Sequence, residues 1–95
     1  MSYARAERVS GLIQQALSDI LLKGVKDPRL EMATITHVKM TRDLRIARIY
    51  FSTPGGTEKI EAAQTGFRSA LGFVKASLAR RLELRYMPEL EFYYD

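Results

Sequence analysis

Lys75, Arg80, Arg81 and Arg85 crowd one short stretch of this sequence, with Arg68 just ahead of them. Between Phe67 and Tyr86 these cations meet one carboxylate, Glu83. Guanidinium groups hold phosphate oxygens in a bidentate fork and can lie flat on bases, and a lysine adds a compact positive charge. Such a concentration is the electrostatic footprint of a nucleic-acid site. The plainer reading of a charge run is a solvated helix face. Arg81 and Arg85 flank Leu78 and Leu82, so burial of their aliphatic stems competes with a binding role. Arg5 and Arg8 are further candidates for RNA contact. Phe73, off the stripe of Val74, Leu78 and Leu82, suits either a base or packing against its own fold.

Other chemistry finds little support. His37 is the one histidine, with no nucleophile beside it in the sequence, and a lone strand histidine is far more often a surface or core residue than a catalyst. Asp27, Asp43, Glu58 and Glu61 fall in turns or at a helix start, where carboxylates serve caps and helix dipoles. "PGGTEK" has glycines and a lysine but not the GxxxxGK[ST] spacing of a phosphate loop. There are no cysteines, which excludes disulfides and cysteine-ligated metal sites. No enzyme, metal or cofactor is expected.

The 95 residues suit one small domain, residues 1–95, and 46% hydrophobic content fits a globular chain. The formal net charge of +4 says less than its distribution. The end of the chain reverses sign, with Glu89, Glu91 and Asp95 and no cation after Met87. The N-terminal "MSYARAERVS" is polar and basic, and no run approaches the roughly 20 apolar residues that span a bilayer. A cytoplasmic location without membrane association is the expectation.

The elements that position the basic residues follow from periodicity. Val9, Leu12, Ile13, Ala16, Leu17, Ile20 and Leu21 trace one helical stripe, predicting a helix from about Ala4 to Lys23 that stops at Gly24. Arg5, Arg8 and Gln15 flank it. Pro28 in "KDPRL" predicts a turn. "ATITHVKM" and "RIARIYFS" read as strands joined by the short "TRDL". In the first, Thr36, Val38 and Met40 make the more core-like face. In the second, Ala47, Ile49 and Phe51 share one side. Thr57 is a plausible N-cap for the next helix. There Ile60, Ala63, Phe67, Ala70 and Leu71 are read as one apolar face, and Val74, Leu78 and Leu82 as another about 140° away. Gly72 costs a helix about 1 kcal/mol relative to alanine. A bend at Ala70-Leu71-Gly72 would reconcile the two faces and divide the segment into two helices. After Pro88, Leu90, Phe92 and Tyr94 alternate as a last strand. The expected order is α-β-β-α-α-β: a two-layer α+β domain, three helices on one face of three strands.

That order is the type II KH topology, an RNA-holding fold. The usual GxxG loop is missing; Ala70-Leu71-Gly72 stands at its place. In this the chain resembles the ribosome-binding factor A family, whose helix-kink-helix carries Ala-x-Gly. "RAERVSGLIQQALSDIL", "KDPRL", "TITHVKMTRDLRIARIYFS" and "LRYMPELEFYYD" are similar to that family across nearly the whole length. Family members usually continue past this last strand; this sequence stops at Asp95. The resemblance implies a non-enzymatic, cytoplasmic assembly factor that binds immature 30S small subunits and their 16S rRNA. It implies help in maturing the 16S rRNA 5′ end, notably in the cold, as a monomer with ribosome-assembly GTPases as further partners. The RNA-contacting set would be Arg5, Arg8, Lys75, Arg80, Arg81 and Arg85, with Ala70 and Gly72 shaping the kink. The alternative is a small basic module that binds an acidic protein in ribosome or RNA metabolism. Loss of binding on RNase treatment would separate the two.

Overall fold

A computed structural model of the chain describes residues 3–95. Helix α1 spans Tyr3–Lys23, strand β1 Thr34–Met40, strand β2 Ile46–Ser52, helix α2 Gly56–Leu82 and strand β3 Glu89–Tyr94, with a 3-10 turn at Pro28–Leu30 after α1. The sheet order is β1-β2-β3. β1 runs antiparallel to β2, as the five-residue turn between them requires, and β3 runs parallel to β2, as the long α2 crossover requires.

One face of this sheet carries the core. Ala47, Ile49 and Phe51 of the central strand are fully buried beneath α1 and α2. Phe67 of α2 lies 5.0 Å from Phe51 and stacks on Phe92 of β3 at 4.4 Å, so the second helix is keyed to two strands by aromatic contacts. From α1, Ile13, Leu17 and Ile20 complete the core. Leu12, expected in the same stripe, is 46% exposed because it lies at the stripe's edge.

β1 departs from strict alternation. A bulge falls between Ile35 and His37, so Ile35 rather than Thr36 joins Val38 and Met40 in the core. The bulge frees the Thr36 carbonyl, which accepts a hydrogen bond from the Gln14 side chain at 3.2 Å, while the Thr36 hydroxyl donates to the Tyr50 carbonyl. Ser10 makes a second tie between α1 and β1: its hydroxyl donates to the Ala6 carbonyl and accepts the Met40 N–H.

Two expectations about α2 are corrected. The helix begins at Gly56 with Gly55 as its N-cap, so Thr57 lies inside the helix and caps nothing. From Gly56 to Leu82 the helix has no break, so two helices rather than three cover the sheet. Counted at about 100° per residue, Val74 and Leu78 fall within roughly 40° of Ile60, and the 140° offset does not exist. Ala63, Gly66, Phe67, Val74, Ser77 and Leu78 are buried along one common face. Gly72 has no positive φ, and an added Cβ would meet nothing within 4 Å. Nothing inside the fold requires a glycine there. Gly66 is the contrasting case: a Cβ would sit 3.0 Å from Leu30, so its absence lets the 3-10 turn seat directly on α2.

Candidate nucleic-acid interface

Where α1 ends, it lies against the second half of α2. Gly24 closes α1, its N–H donating to the Ile20 carbonyl at 2.8 Å. A Cβ on Gly24 would come within 3.2 Å of the Phe73 ring, so that ring rests on the helix terminus while remaining 46% exposed. Packing on its own fold is therefore the first role of Phe73. Ile20, Lys23, Gly24, Phe73, Ser77, Arg80 and Arg81 enclose a shallow groove along this seam.

The seam's charges are organised by Asp19. Its carboxylate takes the Lys23 ammonium at 3.1 Å and the Arg81 guanidinium at 2.5 Å. Those two hydrogen bonds, Arg81's the larger, hold the Asp19 carboxyl below its ordinary value. Arg80 makes a long contact of 3.4 Å to the Ser77 hydroxyl. Two cations thus share one carboxylate, with Arg80 on the neighbouring Ser77, beside an exposed aromatic ring, an arrangement able to hold phosphates and pack against a base.

The six basic residues singled out from the sequence do not form one cluster. Arg80 and Arg81 both line the groove at the seam. Lys75 points away, toward Glu89 at the start of β3, 3.9 Å distant. Arg8 lies on the outer surface of α1 beside Gly11, Leu12 and Gln15. Arg5 and Arg85 come together elsewhere, in a cleft near the start of β3. Ala70 is half-buried within α2, and Gly72 lies on its solvent side. Sequence reasoning missed Lys23, whose place in the seam depends on an α1–α2 contact between residues far apart in the chain.

The His37 ring stacks on Tyr50 at 4.3 Å with planes 10° apart, on the sheet face away from the helices. Among the described residues no group of three or more His, Cys, Asp or Glu is placed to hold a metal ion, and no helix is long and apolar enough to cross a membrane.

Comparison with known proteins places this geometry in context. The family model described as "Ribosome-binding factor A" matches residues 5–95. Ribosome-binding factor A of Desulfosudis oleivorans is 52% identical over 94 residues, covering 99% of this chain and 73% of the relative. That of Desulfatibacillum aliphaticivorans is 54% identical, covering 99% and 76%. The crystal structure of ribosome-binding factor A from Thermus thermophilus matches with a TM-score of 0.83 at 27% identity, over 94% of this chain and 93% of that one. A homology model of the Thermus thermophilus factor, fitted into a cryo-EM map of its complex with the 30S subunit, matches with a TM-score of 0.74 at 27% identity over 88% of each chain.

Proposed function

The chain belongs to the ribosome-binding factor A family, and from that premise we propose that it binds the immature 30S subunit through 16S rRNA. It acts there as one KH-like RNA-binding domain, residues 1–95, in the cytoplasm and as a monomer, without catalysing a reaction. Its role is late assembly and maturation of the 16S rRNA 5′ end, most needed at low temperature, where misfolded rRNA is slowest to rearrange. Ribosome-assembly GTPases are further partners.

The observation that carries this reading is the α1–α2 seam, where Lys23 and Arg81 share Asp19 and, with Arg80, line a groove beside the exposed Phe73. Phosphates would replace Asp19 as the partner of Lys23 and Arg81, with Arg80 adding a further contact. The relative seated on a 30S subunit supports the choice of particle. Cosedimentation with 30S, 50S and 70S particles at two salt concentrations tests it. If about four phosphates are neutralised, log K for the 30S particle falls against log salt with a slope of order −3 to −4. Equal affinity for the large subunit, or a slope near zero, rules the reading out.

A further inference from the structure

The cleft that gathers Arg5 and Arg85 lies apart from the seam, at the start of β3. It has an open volume of about 750 Å³, within the usual range of small-ligand sites. Val9, Met40, Leu44 and Met87 give it an apolar floor, and Arg5, Arg45 and Arg85 stand at its rim with Tyr86. The Arg85 guanidinium lies 5.6 Å from the Tyr86 ring centre, and that ring is 77% exposed. Two carboxylates also line the cleft. Asp43 is occupied by the Thr41 hydroxyl at 2.8 Å and the Arg45 N–H at 3.1 Å, the exposed Arg45 guanidinium stands 3.8 Å from its other oxygen in a loose pair that a phosphate would have to displace, and Glu89 faces Lys75.

The walls are held in costly shapes. Among the described residues, Leu44 (φ 62°) and Glu83 (φ 49°) are the non-glycine residues with positive φ. Leu44 belongs to the β1–β2 turn that forms one wall. Glu83 caps α2 and launches the loop that carries Arg85 and Tyr86 along the other. The Glu89 N–H donates to the Arg45 carbonyl at 2.8 Å and ties the two walls together. Left-handed backbone at such residues is unfavourable and persists where the surroundings impose it, commonly at binding sites.

We propose that this cleft takes one unpaired nucleotide of RNA. Its base lies on Tyr86 and the apolar floor, and its phosphate is held between Arg45 and Arg85. An apolar floor with a flat exposed ring suits a base, and paired guanidinium groups suit the phosphate attached to it. A base still in a duplex cannot enter, so the site selects single-stranded or bulged RNA. The inference rests on the chain being an RNA-binding factor, and it adds a second contact that reads strandedness.

The test uses the full chain with a labelled single-stranded U6 RNA and a blunt RNA duplex. Tyr86→Ala weakens U6 binding about tenfold, Tyr86→Phe restores it to within twofold, and Arg85→Ala weakens it and lowers the salt slope by about one. Duplex binding stays at the parent level in Tyr86→Ala. Circular dichroism and melting of each variant show that the fold is kept. U6 affinity equal to the parent in Tyr86→Ala overturns the proposal, as does an equal loss of duplex binding. So does a glutamate-rich peptide that displaces U6 from the parent, which would make the cleft a protein-docking site. Cosedimentation of the parent with 30S particles runs alongside. If it binds while Tyr86→Ala leaves U6 affinity untouched, the cleft assignment fails and the ribosomal reading stands. If the parent binds no 30S, the ribosomal reading itself fails.

Discussion

The two outward surfaces of this domain handle charge in opposite ways. At the α1–α2 seam, Lys23 and Arg81 share one carboxylate, Asp19, and Arg80 beside them has no carboxylate partner among the ion pairs of the described residues. On the bare face of the sheet, charges and rings satisfy one another across strands. Arg48 faces Glu91 at 3.8 Å, the Tyr93 hydroxyl donates to Glu91 at 2.7 Å, and His37, Tyr50 and Tyr93 form a run of stacked rings. Cross-strand pairs of this kind stabilise a sheet. Excess positive charge left beside an exposed aromatic has no such internal use. The difference teaches that total charge is a poor guide to the binding surface. The informative quantity is how many cations share each carboxylate.

The sharpest way to break this comparison is a pair of charge-matched variants. Arg80→Glu with Arg81→Glu should cut 30S binding by well over tenfold while the far-UV spectrum and cooperative melting persist, because neither residue belongs to the buried core. Lys39→Glu with Arg48→Glu changes total charge equally but on the sheet face. It should change 30S binding by no more than about threefold. Equal losses in the two variants would mean that long-range attraction, rather than the seam, sets the affinity.

A smaller effect should come from Asp19→Asn, which releases Lys23 and Arg81 to phosphate. We expect 30S affinity to rise about threefold, with a salt slope steeper by about one. The same variant has a pH signature. A carboxyl whose pKa is depressed in the folded state adds stability above its unfolded pKa, near 3.9. That stability is lost as pH falls through the lower folded value. Melting temperatures followed downward from pH 5 should therefore fall more gently in Asp19→Asn than in the parent. Parallel curves and an unchanged affinity would show that Asp19 does not organise the seam.

How much of this was legible in the sequence depended on whether a feature is local. The α1 stripe and its stop at Gly24 are local and periodic, and the helix runs Tyr3–Lys23. The β1 bulge is not local. Gln14 reaches the Thr36 carbonyl there from α1, a contact between distant parts of the chain, and period-two reasoning puts Thr36 on the wrong face. Arg80 and Arg81 were visible as a basic pair, but the Asp19 that engages Arg81 lies 62 positions earlier. In the sequence Arg5 and Arg85 stand out singly by charge, and only the fold brings them to one cleft. The bend expected at Gly72 fails for a simpler reason: Ile60, Val74 and Leu78 share one helical face, not two.

That glycine supplies the smallest effect and a boundary for the seam. A glycine inside a helix usually either relieves a close contact or admits an unusual backbone angle. Gly24 and Gly66 do the first, each lying against a side chain that a Cβ would press. Gly72 does neither: its φ is ordinary, and a Cβ would enter open space. Gly72→Ala should then stabilise the domain by about 0.5–1 kcal/mol, because alanine restricts the unfolded chain and favours helix. A urea melt beside the parent measures this. Gly72 faces solvent roughly 100° around α2 from Phe73 and Arg80, beyond the seam. Its substitution should therefore leave 30S affinity within twofold. A variant that melts higher yet binds 30S several-fold more weakly would carry a different message. The RNA would have to extend past the seam onto the exposed back of α2, and the glycine would serve the close approach of a phosphate backbone rather than any need of the fold. A loss of stability would mean instead that α2 bends at this point under a constraint that the packing around Ala70 and Val74 does not reveal.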